Sequence, residues 1–201
     1  MKISALAFSI FEKTVGDYHR WDNVDAKINN PYPFQSLEYY LYLKNWIDTV
    51  QWHLEDIIRN PDIDPVAALA LKRRIDKSNQ ERTDLVEWID GYFLDLYKDV
   101  AKDPMATINT ESPAWAIDRL SILALKIYHM QQEVDRKDVD AAHHESVTAK
   151  LTVLLEQKKD LSLAIDQLME DIAAGNVYMK VYKQMKMYND PSLNPVLYGK
   201  K

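Results

Sequence analysis

Residues 111–129 read "ESPAWAIDRLSILALKIYH", and this stretch decides the fold. Ser112 suits an N-cap and Pro113 the first helical position, where a missing N–H costs nothing, so the spacing predicts a helix from Pro113 to near Asp135. At about 100° per residue, Ile117, Leu120, Leu123, Ala124, Ile127 and Tyr128 cover most of its circumference. The remaining line holds Asp118, Ile122, Leu125 and His129, flanked by Arg119, Lys126 and Glu133. A helix this apolar belongs at the centre of a bundle, and its polar strip must meet partners or water. The fold class that follows is all-α, one domain over residues 1–201, with about six helices and the 112–135 helix central.

Working outward, a first amphipathic helix is expected over about 2–21, and the prolines of "NNPYPFQ" (29–35) make a loop before a second helix from Ser36 to about Asn60. "NPDIDP" (60–65) ends that helix, and the third runs from about 65 to 101, long enough to bend near Gly91. After the connection "DPMATINTE" and the 112–135 helix, a fifth helix over about 138–174 carries Val147, Leu151, Leu154, Leu161, Ile165, Leu168 and Ile172 on one stripe, broken by Lys158. The stripe is read as intrachain core, with a homodimer seam as the alternative. Gly175 and Asn176 stop the helix, and the tail from Val177 is read as a short helix followed by a proline-containing strap. No strand alternation bounded by turn signals occurs.

Composition narrows the partners. The 201 residues include 25 Lys+Arg and 31 Asp+Glu, a formal charge of -6 that disfavours nucleic acid and anionic membrane surfaces. The densest basic run, "LKRRIDK" (71–77), is followed closely by acids. There is no cysteine, hence neither a disulfide nor a thiolate metal site. "MKISALAFSIF" followed by "EKTVGDYHRW" lacks a small-residue cleavage pattern and is read as a helix of a cytoplasmic protein.

Two neighbouring segments offer partners for the polar strip. "WHLEDIIR" (52–59) sets His53 and Asp56 one turn apart and pairs Glu55 with Arg59 at i, i+4; "DKSNQERTDLVEWID" (76–90) puts Asp76, Asn79, Thr83 and Asp90 near one line, with Arg82 and Glu87 beside it. If helices two, three and four face each other, these strips form one polar pocket. Such a pocket would hold an anionic small molecule, a nucleotide or phosphorylated sugar, through Arg59, Asn79, Arg82, Arg119 and Lys126, with His53, His129 and Asp118 as candidate catalytic groups. The opposing reading is a non-catalytic interaction protein whose polar groups brace the helices and set register. A site is expected, because three helices supply matching strips where one polar residue would suffice for register. His19, His143 and His144 carry no functional assignment.

For metal, Glu87 and Asp90 in "EWID" can share a hard cation such as Mg²⁺ or Mn²⁺, with Glu55 and Asp56 as the second source of carboxylate. "EWID" is similar to the second carboxylate pair of the MazG-like all-α nucleotide pyrophosphohydrolases, although the E-x-x-E pair of their preceding helix is missing here. Three longer blocks, "WIDTVQWHLEDIIR", "NQERTDLVEWID" and "INTESPAWAIDRLSILALKIYH", resemble the bacterial domain-of-unknown-function family DUF4254. The resemblance spans about the whole chain and implies a helical cytoplasmic protein, but no reaction. Its characteristic positions here are His53, Glu55, Asp56, Arg59, Asn79, Arg82, Asp84, Glu87, Asp90, Glu111, Asp118, Arg119, Lys126 and His129, which adds Asp84 to the ligand-binding candidates.

Overall fold

Five long helices form in the computed structural model, which describes residues 2–188 and 190–199; Met1, Asn189, Lys200 and Lys201, within the terminal segments read above, lie outside it. The helices are α1 (Ile3–Tyr18), α2 (Leu37–Ile58), α3 (Pro65–Leu96), α4 (Pro113–Asp135) and α5 (Ala141–Ala174), followed by a one-turn α6 (Pro195–Tyr198). Local chemistry sets most of the ends. Ser36 accepts from the Tyr39 amide, Asp64 from Ala67, Ser112 from Trp115 and Asp140 from His143, each satisfying an otherwise orphaned N–H of a first turn. Gly175 closes α5 in the left-handed region, at φ 79°.

α4 is the centre of the bundle and packs against all four other long helices. Its Ile117, Leu120 and Leu125 are fully buried, and the core continues through Phe8, Ile10 and Phe11 of α1, Leu41 and Tyr42 of α2, Val86, Ile89 and Phe93 of α3, and Ile165 and Met169 of α5. The α5 stripe is used within the chain: Val147, Leu151, Ile165 and Ile172 are buried, and Leu154 and Leu161 pack against the core. Lys158, the break in that stripe, lays its ammonium 3.6 Å from the centre of the Phe8 ring, so the cation faces a π surface instead of water alone.

Two segments differ from expectation. α3 ends at Leu96, because residues 101–108 turn to meet the end of α5: Asp103 donates its amide to the Gly175 carbonyl at 3.0 Å and Thr107 to that of Asn176 at 3.0 Å. This contact extends into a two-residue parallel ladder, β1 (Thr107–Ile108) with β2 (Val177–Tyr178). The tail order is accordingly reversed, with the extended strap directly after β2 and the short helix beyond it. No helix among the described residues is long and apolar enough to cross a membrane.

Candidate metal centre

The polar strip of α4 divides along its length into groups with different surroundings. Asp118 joins a quartet with the buried Lys44 and Asp48 of α2 and the half-buried Arg82 of α3. Lys44 Nζ lies 2.6 Å from Asp118 Oδ1 and also bonds Asp48, while Arg82 donates from Nε to Asp48 at 2.5 Å and from Nη2 to Asp118 at 3.1 Å. Ser121 donates to Asp48 at 2.6 Å and accepts from Asn45 at 2.8 Å. Two cations and two carboxylates cancel, which is the condition for burying them. Burial alone would raise the Asp118 pKa, but Lys44 and Arg82 hold it below the ordinary 3.8. The quartet joins α2, α3 and α4 and has the geometry of a brace. Sequence reasoning overlooked Lys44 and Asp48; their i, i+4 spacing on the face of α2 that carries Leu41 was the available signal.

The other residues singled out from the sequence scatter. Arg119 points outward to Glu111 at 2.8 Å, and with Lys126 it lines a groove between α4 and α5 that also holds Gln157 and Asp160. Arg59 pairs with Glu55 on the surface of α2. Asp84 accepts from Gln80 in solvent, and Asn79 accepts from Gln51 at 2.9 Å. Glu87 accepts the Gln184 amide at 3.0 Å, whereas Asp90 accepts from the Ser112 hydroxyl at 2.5 Å and the Ala114 amide at 2.9 Å, so it is spent on the first turn of α4. Glu55, Asp56, Glu87 and Asp90 therefore do not gather into a metal cluster, and the carboxylate site of the MazG-like enzymes is not assembled.

A different donor set converges. Among the described residues, the one group of three or more possible ligands is His19, His53 and His129, each offering a ring nitrogen within 4.8 Å of the other two. His19 caps the end of α1, His53 sits in α2 and His129 in α4. His19 Nδ1 lies 2.7 Å from the Val15 carbonyl, so that nitrogen is the donor, and in the neutral tautomer this leaves the lone pair on Nε2. This Nε2 faces His53 Nε2 at 3.2 Å. The Asp56 carboxylate, 3.9 Å from His53 Nδ1, favours the same tautomer in His53. Two lone pairs so opposed repel unless one nitrogen takes a proton or both bind a cation. His129 Nδ1 meets the Gln132 amide oxygen at 3.2 Å, and its Nε2 is buried without a hydrogen-bond partner.

An aromatic ring backs each imidazole. Tyr128 lies against His19 with centroids 4.3 Å apart, Tyr18 stacks on His53 at 5.2 Å, and Trp52 stacks on His129 at 5.0 Å and 10°. These walls pack against the half-buried rings, and burial, followed by the neighbouring imidazoles, pushes the His53 and His129 pKa values below 6.5. This shift favours the neutral ring, the state in which imidazole ligates a metal. No local motif announces this set, because 34 and 76 residues separate its members. The signal for His19 was its place one turn after the buried Val15, on the apolar face of a helix otherwise read as core.

No curated protein and no solved structure matches the chain. A family model described as "Protein of unknown function (DUF4254)" matches residues 38–181, which include α2 to α5 with the quartet, His53 and His129, and leave His19 outside the matched span. Because that span is most of the 201 residues, the chain belongs to this family of proteins of unknown function.

Proposed function

We propose that the chain is a metalloprotein in which His19, His53 and His129 bind one divalent transition metal ion of the zinc class. The observation that carries the reading is the convergence of the three imidazoles with His19 Nε2 and His53 Nε2 3.2 Å apart. Two nitrogens each about 2.0–2.1 Å from a tetrahedral zinc ion stand roughly 3.3 Å apart, so these two rings already span one edge of the coordination shell. The buried and otherwise unpartnered His129 Nε2 supplies a third donor. A hydrogen bond between His53 and His19 would account for the short contact but not for the third nitrogen.

Three neutral protein ligands leave the full charge of the ion and at least one position for water. This is the pattern of catalytic rather than structural zinc sites, and it suits hydrolytic or Lewis-acid chemistry, since such an ion brings bound water to a pKa of about 7. Imidazole donors favour zinc, iron, copper or nickel over Mg²⁺. The test is metal analysis of the purified chain, followed by cobalt(II) substitution of the chelator-treated protein. One ion per chain, the strong visible absorption of tetrahedral cobalt(II), and loss of both on His19→Ala, His53→Ala or His129→Ala are expected. Cobalt binding unchanged in the three single variants would refute the assignment.

A further inference from the structure

We propose that the cleft beneath the strap following β2 binds a small phosphorylated metabolite, with Lys186 and Arg82 holding the phosphoryl group. The cleft has a volume of about 290 Å³ and lies between α3, α4 and residues 184–188. Its walls carry two cations, Arg82 and Lys186, and two carboxylates, Asp76 and Asp118, beside Thr83 and Trp115. That volume is at the lower end of ligand pockets, which fits a sugar phosphate and not a dinucleotide.

The charge balance points to an anion. Arg82 and the wall carboxylate Asp118 belong to the neutral quartet, and Asp76 is paired with Lys72, which leaves Lys186 as the uncompensated charge. The half-buried Lys186 donates only to neutral oxygens, the Thr83 hydroxyl at 2.8 Å and the Asn79 carbonyl at 3.2 Å, and no carboxylate among the described residues lies within salt-bridge distance of it. A partly desolvated ammonium without a counter-ion is a cost that a bound anion removes. Arg82 can contribute, because Nε and Nη2 serve Asp48 and Asp118 while Nη1 makes only a 3.4 Å contact with Asn79. One free guanidinium nitrogen beside an ammonium suits phosphoryl oxygens, and Trp115 offers a flat wall for a sugar face.

The strap would be the ligand's other half. Beyond Lys186, its polar attachment here is the Gln184 amide on Glu87 at 3.0 Å, and Tyr182, Met185, Met187 and Tyr188 are exposed. An anion bridging Lys186 to Arg82 therefore pins this segment to the bundle. The cleft is separate from the histidine cluster, and neither proposal depends on the other.

The experiment measures binding of inorganic phosphate, glucose 6-phosphate and AMP to the full chain, before and after chelator treatment, by calorimetry and thermal shift. At least one probe should raise the unfolding midpoint by about 3 °C near saturation. Lys186→Met should weaken that binding at least tenfold and Lys186→Arg should retain it, while chelator treatment should leave it unchanged. The bound probe should also slow chymotryptic cleavage after Tyr182 and Tyr188 in the wild-type chain. Equal affinity in the wild type and Lys186→Met, or no binding of any probe, overturns the proposal whatever the metal analysis gives.

Discussion

Asp118 accepts from Lys44 of α2 and Arg82 of α3, while Arg119, the next residue, reaches into solvent toward Glu111. Adjacent charges on one helix thus have opposite energetic weight. Asp118→Ala leaves the buried Lys44 and the half-buried Arg82 short of a partner and is expected to cost about 3 kcal/mol, whereas Arg119→Leu should stay within about 0.5 kcal/mol; urea midpoints at constant m-value measure both. The histidines behave differently again. His53 and His129 are disfavoured as cations in the fold, so below pH 6.5 the unfolded chain binds protons that the folded chain does not. Their contribution to stability is complete above pH 6.5 and declines as pH falls from there through the lowered folded values. Chelator-treated protein titrated from pH 8 to pH 5 should lose stability over that interval, and His53→Leu with His129→Leu should flatten the loss. A slope unchanged in the double variant would assign it to other groups.

At the scale of elements, the ends legible in the sequence are those with local causes. Ser112 with Pro113 starts α4 and Gly175 ends α5, because caps and left-handed turns are built from residues a few positions apart. Gly175 has a second constraint that the sequence does not contain: a Cβ there would run into the carbonyl oxygen of Ala101. Gly175→Ala therefore combines a strained φ with a clash against backbone and should lower stability by about 1–3 kcal/mol, read from the thermal midpoint. The early end of α3 and the reversed order of the tail were not legible, since both follow from the pairing of residues 107–108 with 177–178 across the fold. The site divides in the same way. The polarity of His53 and His129 was visible in their helical phase, but the partner that makes them a cluster, His19, comes from a helix the strip argument never included.

Across the whole molecule, the three histidines link the end of α1 to α2 and α4, so a bound ion would stabilise the fold and not only a local turn. Zinc at a free concentration 1,000 times its dissociation constant should add about 4 kcal/mol to stability, reversed by chelator and missing in His19→Ala. A midpoint indifferent to zinc would mean that the folded state has no preference for it. Because the α5 stripe is covered by the chain's own helices, light scattering should give a monomer near 23.4 kDa; a dimer would direct attention to the exposed Val153, Leu155 and Leu163 on the same helix. One contact also bears on how the protein is made. Ser4 donates its amide and its hydroxyl to Asp166, at 3.1 and 2.7 Å, fastening the beginning of α1 to the far half of α5. A ribosome adding about 5–20 residues per second completes α5 on the order of ten to thirty seconds after α1 has left the peptidyl transferase centre. For that interval the α1 side chains that pack against α5 have no partner there, so this face of α1 stays uncovered until the last long helix arrives.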